Sequence, residues 1–89
     1  MNAYGKFANV YDALMEDVPY TDIAELIDKE IKAQGITNDI VLDLACGTGT
    51  LTGLLKEKGY DMIGADVSAE MLFVAKEKHP DILFLNQLL

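Results

Sequence analysis

Residues 41–52, Val41-Leu42-Asp43-Leu44-Ala45-Cys46-Gly47-Thr48-Gly49-Thr50-Leu51-Thr52, read as a strand holding one acid, a glycine-rich turn and the opening of a helix. Glycine lets a backbone turn sharply and approach a ligand closely, because no Cβ stands in the way. A helix starting straight after such a turn aims unpaired N–H groups, and the positive end of its dipole, at whatever lies there. The stretch therefore predicts a nucleotide-type cofactor site.

Outward from this turn, strands and helices alternate. The first strand, Ile40 to Ala45, is apolar on both faces except at Asp43, the pattern of a central parallel strand covered on each side. The helix after the turn runs from about Thr50 to Lys58, with Leu51, Leu54 and Leu55 inward and Gly59 ending it. Asp61 to Asp66 is a second strand. Ser68 caps a helix over 69–79, with Met71, Leu72 and Ala75 buried and Phe73 or Val74 as further core candidates; the residue before Pro80 avoids helical geometry. Ile82 to Leu85 is a third strand.

Upstream, Thr21 is a suitable N-cap for a helix to about Ala33, with Ile23, Leu26, Ile27 and Ile31 on one face and Gly35 as the stop. Tyr4, Phe7, Ala8, Tyr11, Leu14 and Met15 follow helical spacing over 3–15. Two readings of that stripe stay open: packing on the rest of the fold, or a lid over the turn with a tyrosine hydroxyl on the ligand. The whole predicts an α/β, Rossmann-like, three-layer architecture. Helices in 1–35 precede a βαβαβ core in 36–89, with parallel strands in the order 3-2-1.

The chain has 89 residues, 51% of them hydrophobic, and a net charge of −8. One domain is the limit, and a chain this short buries roughly 60–65% of its surface. All seven bases are lysines. That balance argues against sequence-independent nucleic-acid binding, which rests on cations neutralising phosphates. The lone cysteine, Cys46, allows no internal disulfide, and a single histidine with no CxxC leaves no metal site to propose. No apolar run reaches a membrane span, no signal-peptide core follows Met1, and a reducing cytoplasm is the expected location.

Which cofactor? The dinucleotide fingerprint needs a third glycine, but Gly47-Thr48-Gly49 is followed by Thr50-Leu51-Thr52, and Gly53 comes one position late; the P-loop pattern fails outright. Asp66, at the predicted end of the second strand, is placed to accept bonds from a ribose diol, or simply to cap the next helix. Asp43 inside a strand needs a partner to offset burial: turn amides, or a cationic group on the ligand. Cys46 reads as a small packing residue of the turn, and His79 as favourable at a helix C-terminus when protonated.

The pair V-L-D-L-A-C-G-T-G (41–49) and G-A-D-V-S-A-E-M-L (64–72) resembles the class I S-adenosylmethionine-dependent methyltransferases, as does the lead-in from Tyr4 to Met15. The resemblance spans the front half of a family domain. It implies that Ala45, Gly47, Thr48 and Gly49 line the methionine and ribose part of S-adenosylmethionine. It also implies that Asp43 organises the turn and the methionine amino group, and that Asp66 holds the ribose hydroxyls. Val67 and Met71 would pack near the adenine, and Tyr11 would close over the methionine carboxylate. The acid that family members often carry after the third strand is replaced by Asn86-Gln87, either of which is an acceptor for the adenine amino group.

The acceptor-building half of such a domain lies outside these residues. The expectation is therefore a cofactor-binding portion that takes S-adenosylmethionine or its product S-adenosylhomocysteine, whether or not it turns over alone. A nicotinamide-binding oxidoreductase fragment is one alternative. Another is a non-catalytic fragment that forms homo-oligomers through the apolar edge of its first strand.

Overall fold

A computed structural model describes residues 12–36 and 40–87. Its elements are α1 (Tyr20–Ala33), β1 (Ile40–Leu44), α2 (Thr50–Glu57), β2 (Asp61–Asp66), α3 (Ala69–Lys78) and β3 (Leu83–Asn86). The three strands form one parallel sheet with β2 in the middle, the order expected. Of the 3–15 stripe only its end is described: residues 12–14 are helical, and Leu14 is exposed, not packed.

The register sorts the side chains into two faces. Val41, Met62, Asp43, Gly64 and Phe84 align on one; Leu42, Ile63 and Leu83 align on the other, with Ile40 and Leu44. On the first face Met62 and Phe84 are buried in a core with Leu55, Leu72, Ala75, Ile82 and Ala24 of α1. On the second, Ile40 is 62%, Leu42 54%, Leu44 54% and Leu83 56% exposed. The expectation of a first strand covered on both sides is thus corrected. Two successive crossovers of one hand carry α2 and α3 over the same face, so among the described residues the sheet has one helical layer and one bare side.

Several local readings shift. α1 begins at Tyr20, with Pro19 in the N-cap place and no side-chain cap, so Thr21 is not the cap. Proline suits a helix start because the donor it lacks is one the helix leaves unpaired. Leu26 is 67% exposed and Ala24 takes the buried place. β1 ends at Leu44, because Ala45 turns into the left-handed region at φ +57°. Phe73 is 43% exposed and stays out of the core. Ser68 does cap α3, its hydroxyl accepting from the Met71 N–H at 3.2 Å.

Candidate cofactor-binding site

The turn between β1 and α2 is built from left-handed residues. Ala45 (φ +57°), Gly47 (+59°) and Gly49 (+83°) reverse the chain within five positions. Glycine takes this geometry freely, whereas Ala45 carries strain of a kind that gathers at ligand sites. The turn is closed by the Gly49 N–H on the Cys46 carbonyl at 3.0 Å and the Cys46 N–H on the Ala65 carbonyl at 3.0 Å. It lies at the carboxyl end of the sheet, the edge where open α/β folds bind ligands.

Two ring side chains support it from below. A Cβ added to Gly49 would meet Phe84 Cζ at 3.2 Å and His79 Cδ2 at 3.2 Å. One added to Gly64 would stand 2.5 Å from Phe84 Cδ1, and one on Gly53 2.3 Å from His79 Cε1. Gly53, the late glycine, therefore seats an imidazole. His79 is more than a helix terminus: its ring lies against the start of α2, with Nε2 buried and without a partner among the described residues. Burial, then the neighbouring Lys78, lower its pKa, and Asp81, Glu57 and the Gly49 backbone pull partly back.

The two acids exchange some of their expected duties. Asp66 binds the turn: its Oδ2 accepts from the Gly47 N–H at 2.8 Å, and its Oδ1 from the Ser68 N–H at 2.9 Å. Asp43 takes no turn amide in any described bond. Its Oδ2 accepts from the hydroxyl of fully buried Thr52 at 2.6 Å. Burial raises the Asp43 pKa and the nearby Asp66 adds to this, while the Thr52 bond lowers it. Thr52 escaped the sequence reading, and its place one helical turn from the helix start on the β1 side is the signal that would have found it.

Cys46 is half-buried under the turn, and a Cβ on Gly64 would come 3.0 Å from its Sγ. Burial, together with Asp43 and Asp66, pushes its thiol up to about 12. A thiol so slow to ionise is a packing group, since the thiolate is the reactive form.

Asp43, Ala45, Cys46 and Thr48 share a cavity of about 90 Å³ with Tyr20, Thr50 and Leu51. It suits the end of a ligand; a whole nucleoside must extend over the open surface near Asp66. There Val67 is 59% exposed, while Met71, one turn along α3, is 7% exposed and sits mostly in the core. The Asn86 amide nitrogen donates to the carbonyls of Asp66 (3.1 Å) and Val67 (3.0 Å), which holds the loop in place. Tyr11 lies outside the described residues.

A protein-family profile described as "Methyltransferase domain" matches residues 41–87, from β1 to the end of β3. The Bacillus subtilis (strain 168) protein named "Putative methyltransferase YqeM" is 42% identical over 87 residues, which is 94% of this chain and 34% of that protein. A "Demethylmenaquinone methyltransferase" of Paenarthrobacter aurescens is 47% identical over 45 residues, 51% of this chain and 18% of that one. Among solved structures, an S-adenosylmethionine-dependent methyltransferase from Clostridium acetobutylicum superimposes with a TM-score of 0.78 at 36% identity, over 98% of this chain and 37% of that chain. DesVI of Streptomyces venezuelae gives 0.81 at 28% identity, over 92% and 36%. The chain spans about a third of the length of these longer matches.

Proposed function

Since the chain belongs to the methyltransferase-domain family and carries the front half of the class I fold, we propose that it binds S-adenosylmethionine and S-adenosylhomocysteine as the donor-holding portion of a methyltransferase. The observation that carries this reading is the Asp66 carboxylate. It stands at the end of β2, fixed by the Gly47 and Ser68 amides beside the turn, where a ribose diol would lie. Ala45, Gly47, Thr48 and Gly49 line the methionine and ribose side, and Asp43 faces the ligand's ammonium. That ammonium would relieve the penalty burial places on the Asp43 carboxylate. Val67 offers its exposed side chain to the adenine, Met71 supports it from the core side, and Tyr11 covers the methionine carboxylate.

The sulfonium donor supplies its own leaving group, so what remains for the protein is alignment and exclusion of water. The residues described here do the first part, holding the donor. Methyl transfer to an acceptor also needs an acceptor-orienting part, and the chain spans about a third of the length of the methyltransferases it matches. A nicotinamide dinucleotide fits less well, because Gly53, the one glycine near the missing third place, is filled by His79. Among the described residues no helix is long and apolar enough to cross a membrane, and we place the protein in the cytoplasm. The bare apolar face of the sheet further supports a homo-oligomer.

Calorimetric titration with S-adenosylhomocysteine tests the reading. Wild type should bind, and Asp66→Asn, which keeps an acceptor for the turn amide but loses the charge, should bind about tenfold or more weakly, the scale of a hydrogen bond to a charged group. No heat with wild type, or equal affinity in the variant, overturns it.

A further inference from the structure

The glycine-rich turn is also fastened through a side chain, Thr48. Thr48 is 2% exposed, and its hydroxyl donates to Asp12 Oδ1 at 2.5 Å across 36 positions of sequence. Lys78, in the last turn of α3, reaches the same place. Its ammonium lies 3.2 Å from Thr50 Oγ1, 3.5 Å from Thr48 Oγ1 and 3.8 Å from Asp12 Oδ2. Three separate parts of the chain thus meet at one hydroxyl: the lead-in segment, the turn, and the end of α3. Thr48 also lines the small cavity with Asp43 and Ala45. A second cavity, of about 310 Å³, lies between Asp12, Met15, Glu16 and Lys78 and shares Tyr20 and Thr50 with the first.

We propose that Asp12 and Lys78 are positioning residues for the cofactor turn: they clasp the Thr48 hydroxyl and so hold the Gly47–Gly49 backbone in its ligand-ready shape. The physical reason is entropic. A turn of two glycines has many conformations to lose, and each one it retains in the free protein weakens binding. The Thr48 hydroxyl fixes the turn only if its acceptor is itself fixed. Lys78 biases Asp12 toward this place by lying 3.8 Å from its second oxygen, and links the pair to the start of α2 through Thr50. Neither residue needs to touch the ligand. The clasp rests on the cofactor reading for its purpose, but its effect on the turn exists in the free protein too.

Two measurements on the 89-residue chain separate the two. Amide hydrogen exchange of Gly47 and Gly49 in the free protein reads the turn, and titration with S-adenosylhomocysteine reads binding. Asp12→Ala should speed exchange at both glycines and weaken binding by about tenfold. Asp12→Asn keeps an acceptor for Thr48 and should restore most of both, and Lys78→Met should fall between. Exchange in Asp12→Ala equal to wild type overturns the clasp, whatever the ligand does. Faster exchange with unchanged affinity overturns its role in binding. If wild type takes no ligand, the cofactor reading fails and the exchange data alone decide the clasp.

Discussion

At the residue scale, His79 has the most to say about the turn. Its lowered pKa means that, from its ordinary value of 6.5 downwards, the unfolded chain takes up a proton that the folded chain refuses. Stability is then fully present above 6.5 and is lost as pH falls through the lowered value. We expect the melting temperature to begin falling as pH drops below 6.5, above the range of the exposed carboxylates, and to do so much less in His79→Phe. A wild-type acid limb that persists unchanged in that variant would assign it to another group. The residue-level signs of this arrangement were present but unreadable. Gly53 and His79 are far apart in sequence, and only the docking of α3 beside α2 brings them together. The same holds for the acids. Sequence placed Asp43 and Asp66 at the turn, but which one takes its amide depends on how far β1 and β2 extend past each other.

At the scale of elements, the middle strand is where side-chain size is most tightly set. Gly64 lies under the Phe84 ring, with that ring buried and Cys46 on its other side. Gly64→Ala should cost about 1–3 kcal/mol, the range for overpacking a filled core, read as a lower urea midpoint at unchanged slope. Gly35→Ala is the comparison, since beyond its chain neighbours no atom of the described residues lies within 4 Å of its added Cβ and its φ of +71° is what opposes the change. It should cost about 1–2 kcal/mol from backbone strain alone and leave the turn and its ligand affinity untouched. The elements themselves were legible because period-2 and period-3.6 patterns are separated by clear stops: Gly35, Gly59 and Pro80. Boundaries moved where a backbone feature overrode a side-chain signal, as when Pro19 displaced Thr21 at the start of α1. Leu26 and Leu14 point outward because apolar spacing marks a face without saying what covers it.

At the scale of the whole molecule, the sheet face left bare among the described residues bears on behaviour in solution. Four large aliphatic side chains more than half exposed on one surface are the kind of patch that marks contact with another chain. We expect light scattering to show dimers or larger species, and Leu42→Lys to move the population toward monomer. The net charge of −8 opposes association, and salt screens that repulsion, so the oligomer should grow with ionic strength. A monomer at all salt concentrations would remove this face as an interface.

The bonds that shape the turn differ in the length of chain they close. Thr52 reaches Asp43 across 9 positions and Gly47 reaches Asp66 across 19, while the clasp to Asp12 spans 36. The entropy of closing a loop grows only with the logarithm of its length, so these spans differ little in closure cost. Both acids have their described partners within residues 43–68: once β2 and the cap of α3 have emerged during synthesis, the nascent chain holds every described group that these two carboxylates bind.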